Sequence, residues 1–144
     1  MSLQDKMNVN AKPALNSLKT EITKKLSSEK VPVFYTPSPE NSKDADLCVC
    51  TAAIGPENEE YANVSNNGIP IIYRGEFLGE IISFFNNSIG ISGTHGKSTT
   101  SGILSEIFMA DKKINPTILM GAILPSIDSA YKIGSSESLI FEAC

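Results

Sequence analysis

Gly93-Thr94-His95-Gly96-Lys97-Ser98-Thr99-Thr100 is the stretch whose residue types and spacing can do chemistry. A phosphate tail needs several donors packed closely around its oxygens. Two glycines let a backbone turn tightly and expose N–H groups with no Cβ in the way. A helix beginning at the lysine adds unpaired N–H groups and the positive end of its dipole. Lys97 can then reach a β- or γ-phosphate as a point charge, and Ser98 is placed to ligate Mg²⁺. The common signature, G-x-x-x-x-G-K-[ST], would require glycine at position 91, which is Ile91. The loop departs from that signature and keeps the parts that act on phosphate. The alternative is a glycine turn before a helix with an incidental lysine.

Glu142 is the second candidate. It ends an apolar run, Ser138 to Phe141, downstream of the loop, where phosphate-binding α/β folds hold Mg²⁺ directly or through water. The alternative is a solvated strand end. His95, the only histidine, lies inside the loop and is a candidate contact for phosphate or substrate, or else merely exposed.

These residues need elements to position them. Leu18, Ile22 and Leu26 recur at a spacing of four, which predicts a helix from about Ser17. Residues 1–16 show no period. A strand is predicted over Val31–Tyr35, with Pro32 suggesting an edge, and Pro37-Ser38-Pro39 reads as a turn. Asp46–Cys50 runs almost without polar interruption, as a parallel strand covered on both faces does. Pro56 with Glu57, Glu59 and Glu60 opens a helix that Asn66-Asn67-Gly68 ends. Pro70–Tyr73 is a strand, and Phe77, Leu78, Ile81, Ile82 and Phe85 form a helical stripe. The polar Asn86-Asn87-Ser88 is the predicted boundary, giving units 1–86 and 87–144.

In the second unit, Ser88–Ser92 is a strand and 97–110 a helix, with Ile103, Leu104, Ile107 and Phe108 as its buried face. Thr117–Met120 is a strand, 121–136 a loop, and Ser138–Phe141 a last strand, about three in all. Strands alternating with helices predict an α/β fold with mostly parallel strands.

The bulk properties exclude several classes. Of 144 residues, 41% are hydrophobic and 19% charged, which are globular proportions. A net charge of −4 gives no electrostatic case for nucleic acid as a partner. Cys48, Cys50 and Cys144 lack a disulfide framework, and Cys48-x-Cys50 lacks zinc-knuckle spacing, so that pair reads as strand positions. No stretch reaches the roughly 18 apolar residues of a membrane span, and the first twelve lack a signal-peptide core. Together these predict a reducing, cytoplasmic setting.

The glycine loop, with histidine before Gly-Lys, resembles the ATP loop of the Mur ligases. Other segments resemble that family in the same order: Asp44 to Ile54, Asn67 to Leu78, Gly121-Ala122-Ile123-Leu124-Pro125 and Phe141 to Cys144. The resemblance runs from about Ser17 to the end. It implies a Rossmann-like UDP-sugar-binding unit over 1–86, followed by the start of a P-loop ATPase-type central unit over 87–144.

The implied activity is ATP-dependent amide-bond formation in peptidoglycan synthesis, in the branch that joins L-alanine to UDP-N-acetylmuramate through an acyl phosphate. By the same carry-over, Gly93 to Thr99 bind ATP and Lys97 stabilises the γ-phosphoryl group. Ser98 and Glu142 hold Mg²⁺, and Thr51, Ala52, Ala53 and Ile54 line the UDP-sugar site.

Two departures accompany the resemblance. The family opens with a strand and a glycine-rich loop, whereas residues 1–16 contain no glycine. The sequence also ends just after Glu142, which predicts a chain unable to ligate by itself. Three alternatives stay open: a related ligase that recycles murein peptides, a non-catalytic nucleotide- or UDP-sugar-binding module, and a generic phosphate-loop domain.

Overall fold

The structure is a computed structural model, and it describes residues 21–143. Ser17, Leu18, the aperiodic residues 1–16 and Cys144 lie outside the described residues. By contacts the chain divides into two units, one up to Phe77 and one from Leu78. Each is described by itself.

In the first unit, helix α1 (Glu21–Ser28) closes on Lys30, which adopts a left-handed φ of 63°. The Val31 N–H donates to the Leu26 carbonyl at 3.0 Å, so carbonyls left open at the helix end find donors. The strand expected over Val31–Tyr35 does not form. Phe34 alone makes a bridge there. Pro32 has no N–H to give a ladder, and the chain turns instead into a 3-10 turn, Pro39–Ser42.

That turn is tied down by side chains. Asn63 Nδ2 donates to the Pro39 carbonyl at 3.2 Å and to Ser42 Oγ at 3.0 Å. Glu60 Oε1 accepts from the Ser38 N–H at 3.4 Å and from Asn41 Nδ2.

Strand β1 (Cys48–Cys50) pairs in parallel with β2 (Ile71–Tyr73), Cys48 opposite Ile71 and Cys50 opposite Tyr73. The crossover between them carries helix α2 (Glu59–Asn66). Asn58 caps α2 by accepting from the Glu60 and Tyr61 N–H groups at 3.0 and 3.1 Å. Gly68, at φ +67°, ends it. Val64 is buried under α2 and Cys50 under β1, while Val49 is 41% exposed. The expected covering of both strand faces is therefore not seen among the described residues, because the sheet here has two strands. Cys48 and Cys50 are free. Burial pushes both thiols up, and their mutual proximity adds to the rise at Cys48, which keeps them neutral.

Helix α3 (Arg74–Ser83) follows β2 without a linker. The second unit then builds one sheet in the order β3-β6-β4-β5, from β3 (Asn87–Ile91), β4 (Thr117–Leu124), β5 (Ser129–Lys132) and β6 (Ser138–Glu142). β6 lies between β3 and β4 and is parallel to both, while β5 is antiparallel to β4. Mostly parallel pairing therefore holds.

The loop expected over 121–136 is largely a hairpin. β4 runs on through Gly121 to Leu124, and Asp128 turns the chain at φ 47° into β5. An aspartate tolerates that conformation, which makes the turn possible without glycine. The second unit thus has four strands, one more than expected.

Helix α4 (Lys97–Ala110) has its expected span and a different buried face. Ser101, Gly102 and Ser105 are buried, Leu104 and Phe108 half-buried, and Ile103 and Ile107 are 58% and 61% exposed. Small residues let the helix lie close on the sheet. A Cβ added to Gly102 would sit 3.5 Å from Leu124 Cδ1. Beneath lie Ile118, Leu139 and Ile140, each at 0% exposure.

Ser105 Oγ is buried in this layer with no hydrogen-bond partner. An unsatisfied buried hydroxyl costs about 1–3 kcal/mol, and alanine also has the better helix propensity. Ser105→Ala is therefore expected to raise stability by about 1 kcal/mol in urea denaturation. A loss of stability would show that the hydroxyl has a partner in solution.

Candidate functional site

The glycine loop leaves the carboxyl end of β3 and enters α4. Gly93 has φ 152° and Gly96 φ 76°, both in the region that favours glycine. Gly96 is the N-cap of α4, and no side chain caps the helix. The first intrahelical bond runs from the Thr100 N–H to the Gly96 carbonyl at 2.9 Å. The N–H groups of residues 97–99 precede that bond, so they form the donor cluster that an anion takes at a helix start.

Lys97 folds back over the loop, and its Nζ donates to the Gly93 carbonyl at 2.6 Å. That bond holds the ammonium beside the glycines while the stem stays half-buried. Gly93, Thr94, His95, Gly96, Ser98 and Thr99 are exposed.

Sheet order brings Glu142 here. Ile91 and Glu142 are partners in the parallel β3–β6 register, and the Ala143 N–H continues the ladder to the Ile91 carbonyl at 2.9 Å. Ser98 Oγ donates to Glu142 Oε2 at 3.3 Å. Ser101 Oγ lies 3.0 Å from Glu142 Oε1 and 2.7 Å from the Lys97 carbonyl, so its one proton is divided between two acceptors. The two candidates chosen for Mg²⁺, Ser98 and Glu142, are thus neighbours.

A hydroxyl and a carboxylate oxygen suit a hard cation that keeps several waters and takes further oxygens from a phosphate. Among the described residues no cluster of three or more His, Cys, Asp or Glu is poised to hold a metal.

The first unit contributes a separate feature. After β1, the Ile54 N–H donates to the Thr51 carbonyl at 3.2 Å, turning the chain. Ala53 and Ile54 then form one wall of an open depression of about 470 Å³. Thr36 and Pro37 and the start of α2 form the others. Thr51 and Ala52 are exposed and stand outside its lining.

Comparison with known proteins converges on one family. The family model described as "Mur ligase family, catalytic domain" matches residues 17–86. The chain is 42% identical over 130 residues to the UDP-N-acetylmuramate--L-alanine ligase of Agathobacter rectalis, across 90% of this chain and 28% of the relative. With the enzyme of the same name from Lachnoclostridium phytofermentans it is 39% identical over 126 residues, across 87% and 27%. By these matches the chain is similar to the Mur ligase family.

It spans little more than a quarter of the length of these curated relatives. Among solved structures, the UDP-N-acetylmuramate-alanine ligase of Thermotoga maritima superimposes with a TM-score of 0.83 at 26% identity, over 91% of this chain and 30% of that one. A UDP-N-acetylmuramate:L-alanyl-gamma-D-glutamyl-meso-diaminopimelate ligase from Neisseria meningitides shares the fold, with a TM-score of 0.81 at 18% identity, over 92% and 44%.

The sequence alone missed two residues around Glu142. One is Ser101, three residues after Ser98 and so on the same helix face. The other is Gly121 of β4, where an added Cβ would come 2.8 Å from Glu142 Oε2. The helical spacing was a usable signal for Ser101. Nothing local marks Gly121, because its neighbour is 21 residues away in sequence.

Gly96→Ala places a Cβ at φ 76° at the entry to α4. The expected cost is about 1–2 kcal/mol of unfolding free energy. Thermal denaturation followed by circular dichroism checks it, and an unchanged midpoint would show that the loop relaxes to another conformation.

Proposed function

We propose that this chain supplies the phosphate loop and the UDP-sugar-binding unit of an ATP-dependent ligase that joins L-alanine to UDP-N-acetylmuramate. The contact of Ser98 with Glu142 at the mouth of an uncapped helix N-terminus carries this reading. That pairing has no structural need for a lysine-bearing glycine loop beside it. The relatives' activity supports the choice of substrates. Because the chain spans about a quarter of their length, ligation is proposed for the longer enzyme and nucleotide binding for this part.

In the proposed reaction a carboxylate oxygen of the muramic acid attacks the γ-phosphorus of ATP and ADP leaves. The amine of L-alanine then attacks the acyl carbon, phosphate leaves and the amine loses a proton. Backbone N–H groups of residues 93–99 cradle the phosphates, and Lys97 draws off charge as it moves onto the transferring oxygens. Ser98 and Glu142 would hold Mg²⁺, which would supply positive charge to offset that of the phosphates. Residues 1–86 are the proposed UDP-sugar unit, with the Thr51–Ile54 turn at its site. Residues 87–144 begin the nucleotide unit.

Titration calorimetry of the chain with ATP and Mg²⁺ tests this. Lys97→Ala removes a charge-assisted contact worth about 1.5–3 kcal/mol, so affinity is expected to fall roughly tenfold to hundredfold. A chain folded by circular dichroism that binds no ATP would overturn the nucleotide-binding role.

A further inference from the structure

Glu142 is held by two serines of α4 and has room for its carboxylate beside Gly121 of β4. From α4, Ser101 reaches Oε1 and Ser98 reaches Oε2. From β4, the backbone at Gly121 stands where a Cβ would come within 2.8 Å of Oε2 and 3.6 Å of Cδ. The partners on the helix differ in kind. Ser98 is exposed, whereas Ser101 is at 0% exposure. The Ser101 hydroxyl is also fixed by its 2.7 Å approach to the Lys97 carbonyl one turn back. Water does not compete at a fully buried hydroxyl, so Oε1 is anchored by its share of the Ser101 proton, and Oε2 is the oxygen presented beside Ser98.

We propose that Ser101 is a positioning residue that restricts Glu142 to single-oxygen coordination at the phosphate loop and so selects Mg²⁺ over Ca²⁺. This rests on the nucleotide-binding role proposed above. Mg²⁺ takes six oxygens in a tight octahedron and accepts carboxylates through one oxygen, whereas Ca²⁺ takes six to eight and favours bidentate carboxylates. With Oε1 anchored, the second oxygen that Ca²⁺ would use is withheld. Freeing it by removing the serine hydroxyl permits the bidentate mode, and Gly121 leaves the carboxylate room to sit in its slot.

ATP binding is measured by calorimetry in MgCl₂ and separately in CaCl₂ for the chain, Ser101→Ala, Ser101→Thr and Gly121→Ala, each checked for folding by circular dichroism. The chain is expected to favour Mg²⁺. Ser101→Ala should lose about tenfold in Mg²⁺-dependent affinity, as partners of metal ligands commonly cost, and should narrow the preference over Ca²⁺. Ser101→Thr should restore both.

An unchanged preference in Ser101→Ala, or an equal loss with both cations, overturns the proposal. Should Ser101→Ala fail to fold, Gly121→Ala decides: displaced Oε2 should weaken Mg²⁺-dependent binding, and undiminished binding overturns the proposal. Absence of ATP binding with either cation in the folded parent chain overturns the nucleotide-binding role itself, and the selection with it. ATP binding by the parent with an unaltered Ser101→Ala leaves that role standing and removes only the selection.

Discussion

Everything at the candidate site depends on where β6 enters its sheet. The chain leaves β3 through the glycine loop, runs along α4 and returns as β4, but β4 does not pair with β3. A gap remains between them, and β6 fills it, parallel to both. Parallel strands end on the same edge, so the carboxyl end of β6 necessarily lies beside the loop that leaves β3. In open α/β sheets that edge is where ligands bind. The Ile91–Glu142 register then fixes which residue of β6 arrives there. A slip of one residue would turn Glu142 to the opposite face and present Phe141 or Ala143 instead. The apolar residues before it, Leu139, Ile140 and Phe141, are all buried, and that burial guards the register.

The second constraint is the closeness of α4 to this sheet. A helix laid on a sheet through isoleucines would stand farther off and carry its first turn away from β6. Here Ser101, Gly102 and Ser105 form the contact layer. Their small side chains let a serine one turn into the helix touch a carboxylate on a strand. Packing and chemistry are thus joined at Ser101, which fills the interface and holds Glu142. The large apolar residues Ile103 and Ile107 are turned outward by the same choice.

How legible this was in the sequence follows from range. The loop, the helix at 97–110 and the end of β6 at Glu142 are local patterns, and the sequence shows them: glycines before Lys97, an apolar run before an acid. The buried face of α4 is not local. By hydrophobicity Ile103 and Ile107 should face the core, but the sheet accepts the small residues instead, and only tertiary packing decides that. Gly121 reads as a break after Thr117–Met120, yet it lies mid-strand, where an added Cβ would meet the Glu142 carboxylate. Val31–Tyr35 has strand-forming residues, but among the described residues only Phe34 makes a bridge. The depression of the first unit involves Thr36 and Pro37, which the sequence marks at most as the approach to a turn. Elements and motifs were readable, and the residues that join distant segments were not.

A carboxylate beside a phosphate loop is an electrostatic contradiction unless a cation stands between. One phosphate charge about 6 Å from Glu142 would cost about 3 kcal/mol at an effective dielectric of about 20. The helix dipole and Lys97 favour the anion by comparable amounts, so the loop alone would bind free phosphate better without Glu142. The arrangement makes sense for a phosphate that brings a divalent ion with it. In the proposed role such an ion would convert the repulsion into attraction and make binding conditional on metal. Net charge has little part in this, since the chain carries −4 overall. What the fold does supply is placement: helix-start donors, an ammonium and one carboxylate on a single sheet edge. In the proposed role the surrounding residues, Ser101 above all, would act by deciding how that carboxylate faces the loop.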